Sequence, residues 1–534
     1  MLQGYYIGTH VETLYGPRRL NGGGLWSYNT RTRRLEIYSR GLVNPWGMIF
    51  DRWGQTFQTD GAGGQGINHT FPDSVFMTSP HENRMLTGLN PGRPKLCGIE
   101  VISGGHFPAD WQGSLLANDF RANNIDRYVL EGSASGYTST LQEEDLLQST
   151  HISFRPIDVV MGPDGAVYVA DWYSPIIQHG EVDFRDQRRD QVHGRIWRIS
   201  AKERPLEKAV DYKSASIAAL LDLLKADADW VRLNAKQALK THDEKDVIAA
   251  ISTWVDGLDK DHPDYEHHRL EALWAYQTVA NAPSLDLVRS LMRSPDHRVR
   301  ASVVRALYHS PSSLDLYELA VADPHPRVRR EAVTALGQLD LVEAANIALK
   351  VLDHPMDEFL DFALWRTCRL LEPLWLPAFS RNELSFEGNA DRLAFALKAV
   401  EKPEALAPLI AMLESGAEKA DPAMVRLVGK IGSVDDLAVL VSIASTVGHR
   451  WQGEAALVLV EAAEDRALEP ADEGKQLEVC QALLENNPAA ACRLIGLWKR
   501  SELQEALMSH ARGSEIIVSR AAILGPVPIS ERLE

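Results

Sequence analysis

The chain has 534 residues and a formal charge of −17, from 73 Asp and Glu against 56 Lys and Arg. That length exceeds one ordinary domain, and the excess of acid repels phosphate backbones, which speaks against general nucleic-acid binding. Its four cysteines, Cys97, Cys368, Cys480 and Cys492, include no C-x-x-C pair, so they signal no zinc centre, no disulfide framework and no C-x-x-C-H for a covalent haem.

Composition changes near residue 200. Of the 37 glycines, 25 precede that point, together with only one lysine, Lys95. The charge is −3 over residues 1–200 and −14 over the rest, which is rich in Ala and Leu. Two domains of different class follow, 1–200 and 205–534. The opening MLQGYYIGTH lacks the charged-then-apolar pattern of a secretory signal, and no run approaches the 18 or so apolar residues that span a bilayer.

Residues 4–8 read as the tail of a strand, followed by a long loop and the strand LWSY. Three copies of Gly-x-x-(Phe/Leu/Tyr)-x-x-Asp come next, Gly54 to Asp60, Gly113 to Asp119 and Gly165 to Asp171, spaced by 59 and 52 residues. NPWGMIFDRWGQTFQTD around Pro45 aligns without a gap with RPIDVVMGPDGAVYVAD around Pro156. Each unit reads as a strand, a tight turn and a second strand with period-2 alternation. Repeats of this size predict a partial β-propeller of three to four blades. Closed propellers use more, so this half-propeller is expected to be part of a longer protein or to be completed by another polypeptide.

From about residue 205 the period becomes helical. VRLNAKQAL, HRLEALWAY, VRASVVRAL and VRREAVTAL align on Arg232, Arg269, Arg300 and Arg329, with small residues three and six positions on. Pro295-Asp296 and Asp323-Pro324 fit helix starts, and a fifth copy begins near Asp353. The pattern resembles HEAT or armadillo repeats, which stack helix pairs into an α-solenoid. Helices continue beyond residue 380, and the terminal VPISERLE shows no polar capping helix.

If the signature strands are the inner strands of their blades, Asp60, Asp119 and Asp171 lie at corresponding ends around one channel, a candidate calcium site. An Asp at a strand end also has a plain structural use, accepting amides of its own turn. Arg18, Arg19, Arg121, Arg155 and Arg189 are candidates for an anionic cofactor, since a guanidinium fork suits carboxylates. Asp183, Asp186 and Asp190 offer a plainer pairing for the arginines around Arg189. His10, His69, His106, His151, His179 and His193 fall in or near loops, and His106 and His179 are the better candidates for a general base. Trp172 offers a flat wall for a ring, although such aromatics also simply pack.

The segments ETLYGPRRLNGGGLW, NPWGMIFDRWGQ, CGIEVISGGHFPADWQG and FRPIDVVMGPDGAVYVADWYSPIIQHGEVDFRDQRRDQVHGRIWRI together resemble the propeller of the large membrane-bound dehydrogenase-type (PVC-type haem-binding) proteins, relatives of glucose/sorbosone dehydrogenases. The resemblance covers residues 1–200, and the helical array fits that family's domain order. It implies an exported, periplasmic protein with a quinoprotein-type propeller, helical repeats and a C-terminal cytochrome c domain as electron acceptor. It further implies pyrroloquinoline quinone held by arginines and calcium, with a histidine base taking the hydroxyl proton of a sugar or alcohol. That base lies in early blades, so it passes to no histidine of this chain. The leading expectation is a fragment of such a dehydrogenase. The alternative is a non-enzymatic platform for a partner protein or glycan, and a lactone hydrolase built around a central calcium ranks last.

Overall fold

The computed structural model describes residues 1–511 apart from 5–6, 81, 93–94, 309, 311–312 and 417–420. Part of the expected strand tail at 4–8, and all of VPISERLE, lie outside the described residues. The first strands are β1 (Leu2–Gln3), β2 (Gly8–Val11), β3 (Arg18–Asn21), β4 (Gly24–Tyr28) and β5 (Leu35–Arg40). Next come β6 (Pro45–Phe50), β7 (Thr56–Asp60), β8 (Ile67–Thr70), β9 (Ser74–Val75), β10 (Leu96–Val101) and β11 (Leu115–Asp119). The last are β12 (Asn124–Ser133), β13 (Gly136–Leu141), β14 (Leu147–Gln148), β15 (Pro156–Met161), β16 (Val167–Asp171) and β17 (Arg195–Ile199).

They form four successive sheets, ordered β1-β4-β5-β9, β6-β7-β8, β10-β11-β12-β13 with β14 on β12, and β15-β16-β17, plus the hairpin β2-β3. The signature glycine has one use in all three copies. Gly54, Gly113 and Gly165 have φ of 75°, 77° and 79°, a left-handed conformation that admits glycine without a Cβ penalty. Each leads from a turn into the second strand of its sheet. The signature aspartate recurs too: Pro45 pairs with Asp60, Leu96 with Asp119 and Pro156 with Asp171, each pair followed by a register shift.

β10 lies most closely against β6 and β15 of the neighbouring sheets, and each of the three is the end strand of its sheet, so these are the inner strands and the signature strands β7, β11 and β16 lie one position further out. This corrects the expected placement of the three aspartates on inner strands. The reason is crowding. A Cβ on Gly47 of β6 would come 2.7 Å from the Cys97 carbonyl, and one on Gly98 of β10 would come 2.7 Å from Asp158 Cα.

Apolar side chains fill the space between successive sheets. Phe57 and Ile67 pack with Leu96, Ile99 and Leu115, while Leu116 and Ile125 on the opposite face pack with Val159, Val167 and Val169. This is a partial β-propeller-like fan followed by a helical solenoid.

Helices begin with α1 (Ile217–Asp222), α2 (Asp229–Leu239), α3 (Glu244–Asp256), α4 (Tyr265–Ala280) and α5 (Leu285–Leu291). They continue with α6 (His297–Ala306), α7 (Leu314–Val321), α8 (Pro326–Leu336), α9 (Val342–Leu349) and α10 (Glu358–Leu370). The four aligned segments fall on α2, α4, α6 and α8, every second helix. Three of the aligned arginines do one job: Arg232 donates to the carbonyls of Ala226 and Asp227, Arg300 to those of Ser294 and Pro295, and Arg329 to those of Asp323 and Pro324. Each closes the turn five and six residues before it. Arg269 departs from this and bonds Glu266 and Ser290. Asp296 caps α6, but α8 is capped by His325, because the Asp323 carboxylate is taken by Arg300 and the His325 amide.

The chain divides into two compact units, Met1–Thr367 and Cys368–Glu534. The first holds all the sheets, α1–α9 and most of α10. The second holds α11 (Glu372–Ser380), α12 (Ala390–Val400), α13 (Leu406–Glu414), α14 (Pro422–Ile431), α15 (Leu437–Ser445), α16 (Gln452–Arg466), α17 (Glu473–Asn486), α18 (Pro488–Leu497) and α19 (Gln504–Ala511). There Arg466 at the end of α16 donates instead to more distant carbonyls, those of Gly429 and Gly432 at the end of α14. No helix among the described residues is long and apolar enough to cross a membrane.

Candidate functional site

Within the first unit the helices attach to one end of the blades. The β6–β7 turn is inserted among them: Ser302 donates to the Trp53 carbonyl at 2.6 Å, Arg305 to that of Gly54, and the Arg298 guanidinium lies 4.1 Å from the centre of the Trp53 ring. The β10–β11 turn accepts the Asp229 amide at Ser103, and the β12–β13 turn gives its Gly136 carbonyl to Arg327. Pro45 and Asp60 lie at the far end of the β6–β7 hairpin, as Leu96 with Asp119 and Pro156 with Asp171 do in their sheets. The end carrying the aspartates is therefore the mouth of the fan, opposite the attached turns.

Each aspartate is buried and builds the mouth rather than facing it. Asp60 accepts four amides, those of Asn44 at 2.9 Å, Gly63 at 3.0 Å, Ala62 at 3.1 Å and Val43 at 3.3 Å. Asp119 accepts the Arg121 and Ala122 amides, and Asp171 accepts those of Arg155 and Tyr173 along with the Trp197 indole N–H. One carboxylate thus fixes its own turn and, in two sheets, the entry to the inner strand. The three do not gather as ligands. Among the described residues, the one set of three metal-ligating side chains whose donor atoms lie within 4.8 Å of one another is His262, Asp264 and His268.

Arg155, 5% exposed, spends its guanidinium on four carbonyls, Phe120 at 2.8 Å, Ser174 at 3.0 Å, Arg121 at 3.3 Å and Pro175 at 3.4 Å. It thereby ties the loop after Asp119 to the loop after Asp171. Arg189 does the same within its own loop, donating to the carbonyls of Gln178, His179, Val182 and Asp183. Arg18 and Arg19 lie on the separate hairpin, where Arg18 bonds the Pro17 carbonyl and Arg19 bonds His10. His106 is wholly buried at the helix-facing end. Its Nδ1 donates to the Pro205 carbonyl at 2.8 Å and its Nε2 accepts the Ala201 amide at 2.9 Å, so neither nitrogen is left for a substrate proton. His69 lies on β8 rather than in a loop, and burial together with Arg330, Arg327 and Arg305 drives its basicity well down.

Three of the named residues, Arg121, Trp172 and His179, keep exposed side chains in the mouth loops. Sequence reasoning missed their neighbours Trp46 and Phe120, whose rings lie 6.1 Å apart. A signal existed: Phe120 follows Asp119 just as Trp172 follows Asp171. Trp46 and Trp172 are 40% and 41% exposed, high for indoles, which bury most of their surface in a core. Beside them Tyr173 holds φ at 54°, a conformation costing an aromatic residue about 1–2 kcal/mol. It is gripped between the His151 ring and the Arg195 guanidinium, 3.6 Å from its ring centre. Strain held by surrounding contacts is a feature of ligand clamps.

These residues do not suit a tricarboxylate quinone with calcium. The buried arginines are saturated by carbonyls, the aspartates by N–H donors, and His106 by backbone. Among the described residues, what the mouth loops offer is aromatic surface with the exposed guanidiniums of Arg121 and Arg185. A separate cleft of about 880 Å³ lies between β4–β5 and α2, α4 and α6, lined by Arg31, Arg34, Lys236, Lys240 and Tyr38 among others, and it contains none of the sequence-predicted site residues.

Residues 3–203 match a family described as a domain of unknown function, DUF7133. No curated protein matches the chain. Similar solved structures include two glucose dehydrogenases, each 22% identical with a TM-score of 0.24, covering 35% and 32% of this chain and 54% and 48% of their own. Another, described as a candidate oxidoreductase (glucose dehydrogenase) of Thermus thermophilus, is 24% identical with a TM-score of 0.20, covering 29% and 48%. The chain thus spans about half the length of these structures. Likeness at such TM-scores carries no argument, and the fold rests on the sheets themselves.

Proposed function

We propose that this chain is the propeller-and-repeat portion of a quinoprotein-like dehydrogenase acting on a sugar or alcohol, with the mouth as its substrate-facing surface. The observation that carries the proposal is the aromatic surface at the mouth, exposed Trp46 beside half-buried Phe120 and exposed Trp172, the last two on loops that Arg155 locks together. Flat rings of this kind pack on the apolar faces of sugar rings, and Arg121 and His179 supply polar contacts beside them. The resemblance of residues 1–200 extends the proposal to an exported, periplasmic protein that passes electrons to a cytochrome c-type acceptor. Any quinone and calcium would need donors beyond the residues named here, so no catalytic step is routed through them.

The second reading is a non-enzymatic binding platform, and the saturation of Arg155, Arg189 and His106 favours it. The cationic cleft between sheet and helices would then be the place for an anionic partner group. Purified protein supplied with pyrroloquinoline quinone and calcium, then offered sugars and alcohols with an artificial electron acceptor, separates the two. The dehydrogenase reading expects dye reduction that drops at least tenfold in Trp172→Ala. Sugar-induced quenching of tryptophan fluorescence without dye reduction would leave the platform, and neither signal would overturn both assignments of the mouth.

A further inference from the structure

His262, Asp264 and His268 stand where the chain enters α4, and their donor atoms lie within 4.8 Å of one another. We propose that they bind a divalent cation of the zinc class. Two imidazoles and one carboxylate are the borderline donor set that zinc takes, with a fourth position left for water. Donor separations in a tetrahedral zinc site, given bonds of about 2.0–2.1 Å, are about 3.3 Å, so closure is a matter of side-chain rotation.

The surroundings support the assignment. Asp264 occupies the N-cap position of α4, yet its carboxylate makes no capping hydrogen bond. It is turned aside, with Oδ1 held by Arg52 at 2.8 Å. That grip orients the carboxylate as an outer partner does in metal centres and leaves Oδ2 for the ion. Asp264 and His268 are four residues apart and so share one side of the helix start, while the rings of His262 and His268 lie 4.9 Å apart. His268 is 5% exposed. His262 is exposed and provides the entry path. Its Nδ1 accepts the Asp264 amide at 3.0 Å, a bond that coordination must displace or reorient, which limits affinity. His267 is not part of the set, because its Nε2 faces the Arg52 carbonyl and its Nδ1 the Arg52 guanidinium. A bound ion would staple the loop before α4 to the helix itself.

The test is calorimetric titration of the metal-stripped full chain with Zn²⁺, paired with visible absorption on titration with Co²⁺. One saturable equivalent is expected, with the intense d–d absorption of four-coordinate cobalt and a rise in melting temperature. His262→Ala, at an exposed position, should weaken binding at least tenfold, and Asp264→Asn should do likewise, while His242→Ala should change nothing. Absence of a one-equivalent isotherm, or binding unchanged in both His262→Ala and Asp264→Asn, would overturn the site.

Discussion

Glu331 and Arg330 are fully buried neighbours on α8, an arrangement that low dielectric punishes unless every charge is met. Here it is met. Arg305 reaches Glu331 at 2.7 Å and Arg330 at 2.5 Å, Gln55 donates to it at 3.1 Å, and Tyr308 at 3.2 Å. Burial alone would raise the Glu331 carboxyl, but Arg305 and Arg330 outweigh it and hold it at about 2. Its folded value is below the unfolded one, so its contribution is complete above about pH 4.5 and is lost as pH falls towards 2. Glu331→Gln leaves two guanidiniums short of a counter-charge and should cost about 3–5 kcal/mol at pH 7. Urea midpoints should show that cost shrinking between pH 4.5 and 3. A cost independent of pH would mean that the charge is not the stabilising feature.

At the scale of elements, Arg155 is the joint of the mouth, since one guanidinium holds the loops after β11 and β16. Arg155→Met keeps the apolar stem but leaves buried carbonyls unpaired, at about 1–3 kcal/mol in total. Hydrogen exchange should then accelerate at Phe120–Ala122 and Trp172–Ser174 while β7 keeps its protection. Equal acceleration across all three sheets would deny it the role of a local joint.

Much of this level was legible in the sequence. The signature glycine could be read because a left-handed turn demands glycine, and the arginine repeat because three copies perform one clamp. The order of strands within a blade was not legible, since alternation marks a half-buried strand without saying which neighbour it has. Gly47 and Gly98 were the overlooked sign of crowding. The candidate site was least legible because Arg and Asp satisfy backbone with the same atoms that would bind a ligand. Only geometry shows which atoms are already used.

For the first unit as a whole, the fan and the helices α1–α9 are joined by charge as well as packing. Besides the Glu331 cluster, Arg327 donates to the Tyr137 hydroxyl, which donates to Asp51, and Gln338 donates to Asp73. These contacts lie on the helix-facing side of the blades and leave the mouth open, the arrangement on which the proposed function depends. The match to DUF7133 stops at Glu203, before α1, whereas the compact unit runs to Thr367. Differential scanning calorimetry of a polypeptide ending at 203, compared with one ending at 371 so that α10 stays whole, tests this directly. The longer chain should melt in one cooperative transition that the shorter one lacks, because buried Gln55 would lose Glu331 and Arg330, and buried His69 would lose Arg330. A cooperative transition at the same temperature in residues 1–203 alone would contradict the account.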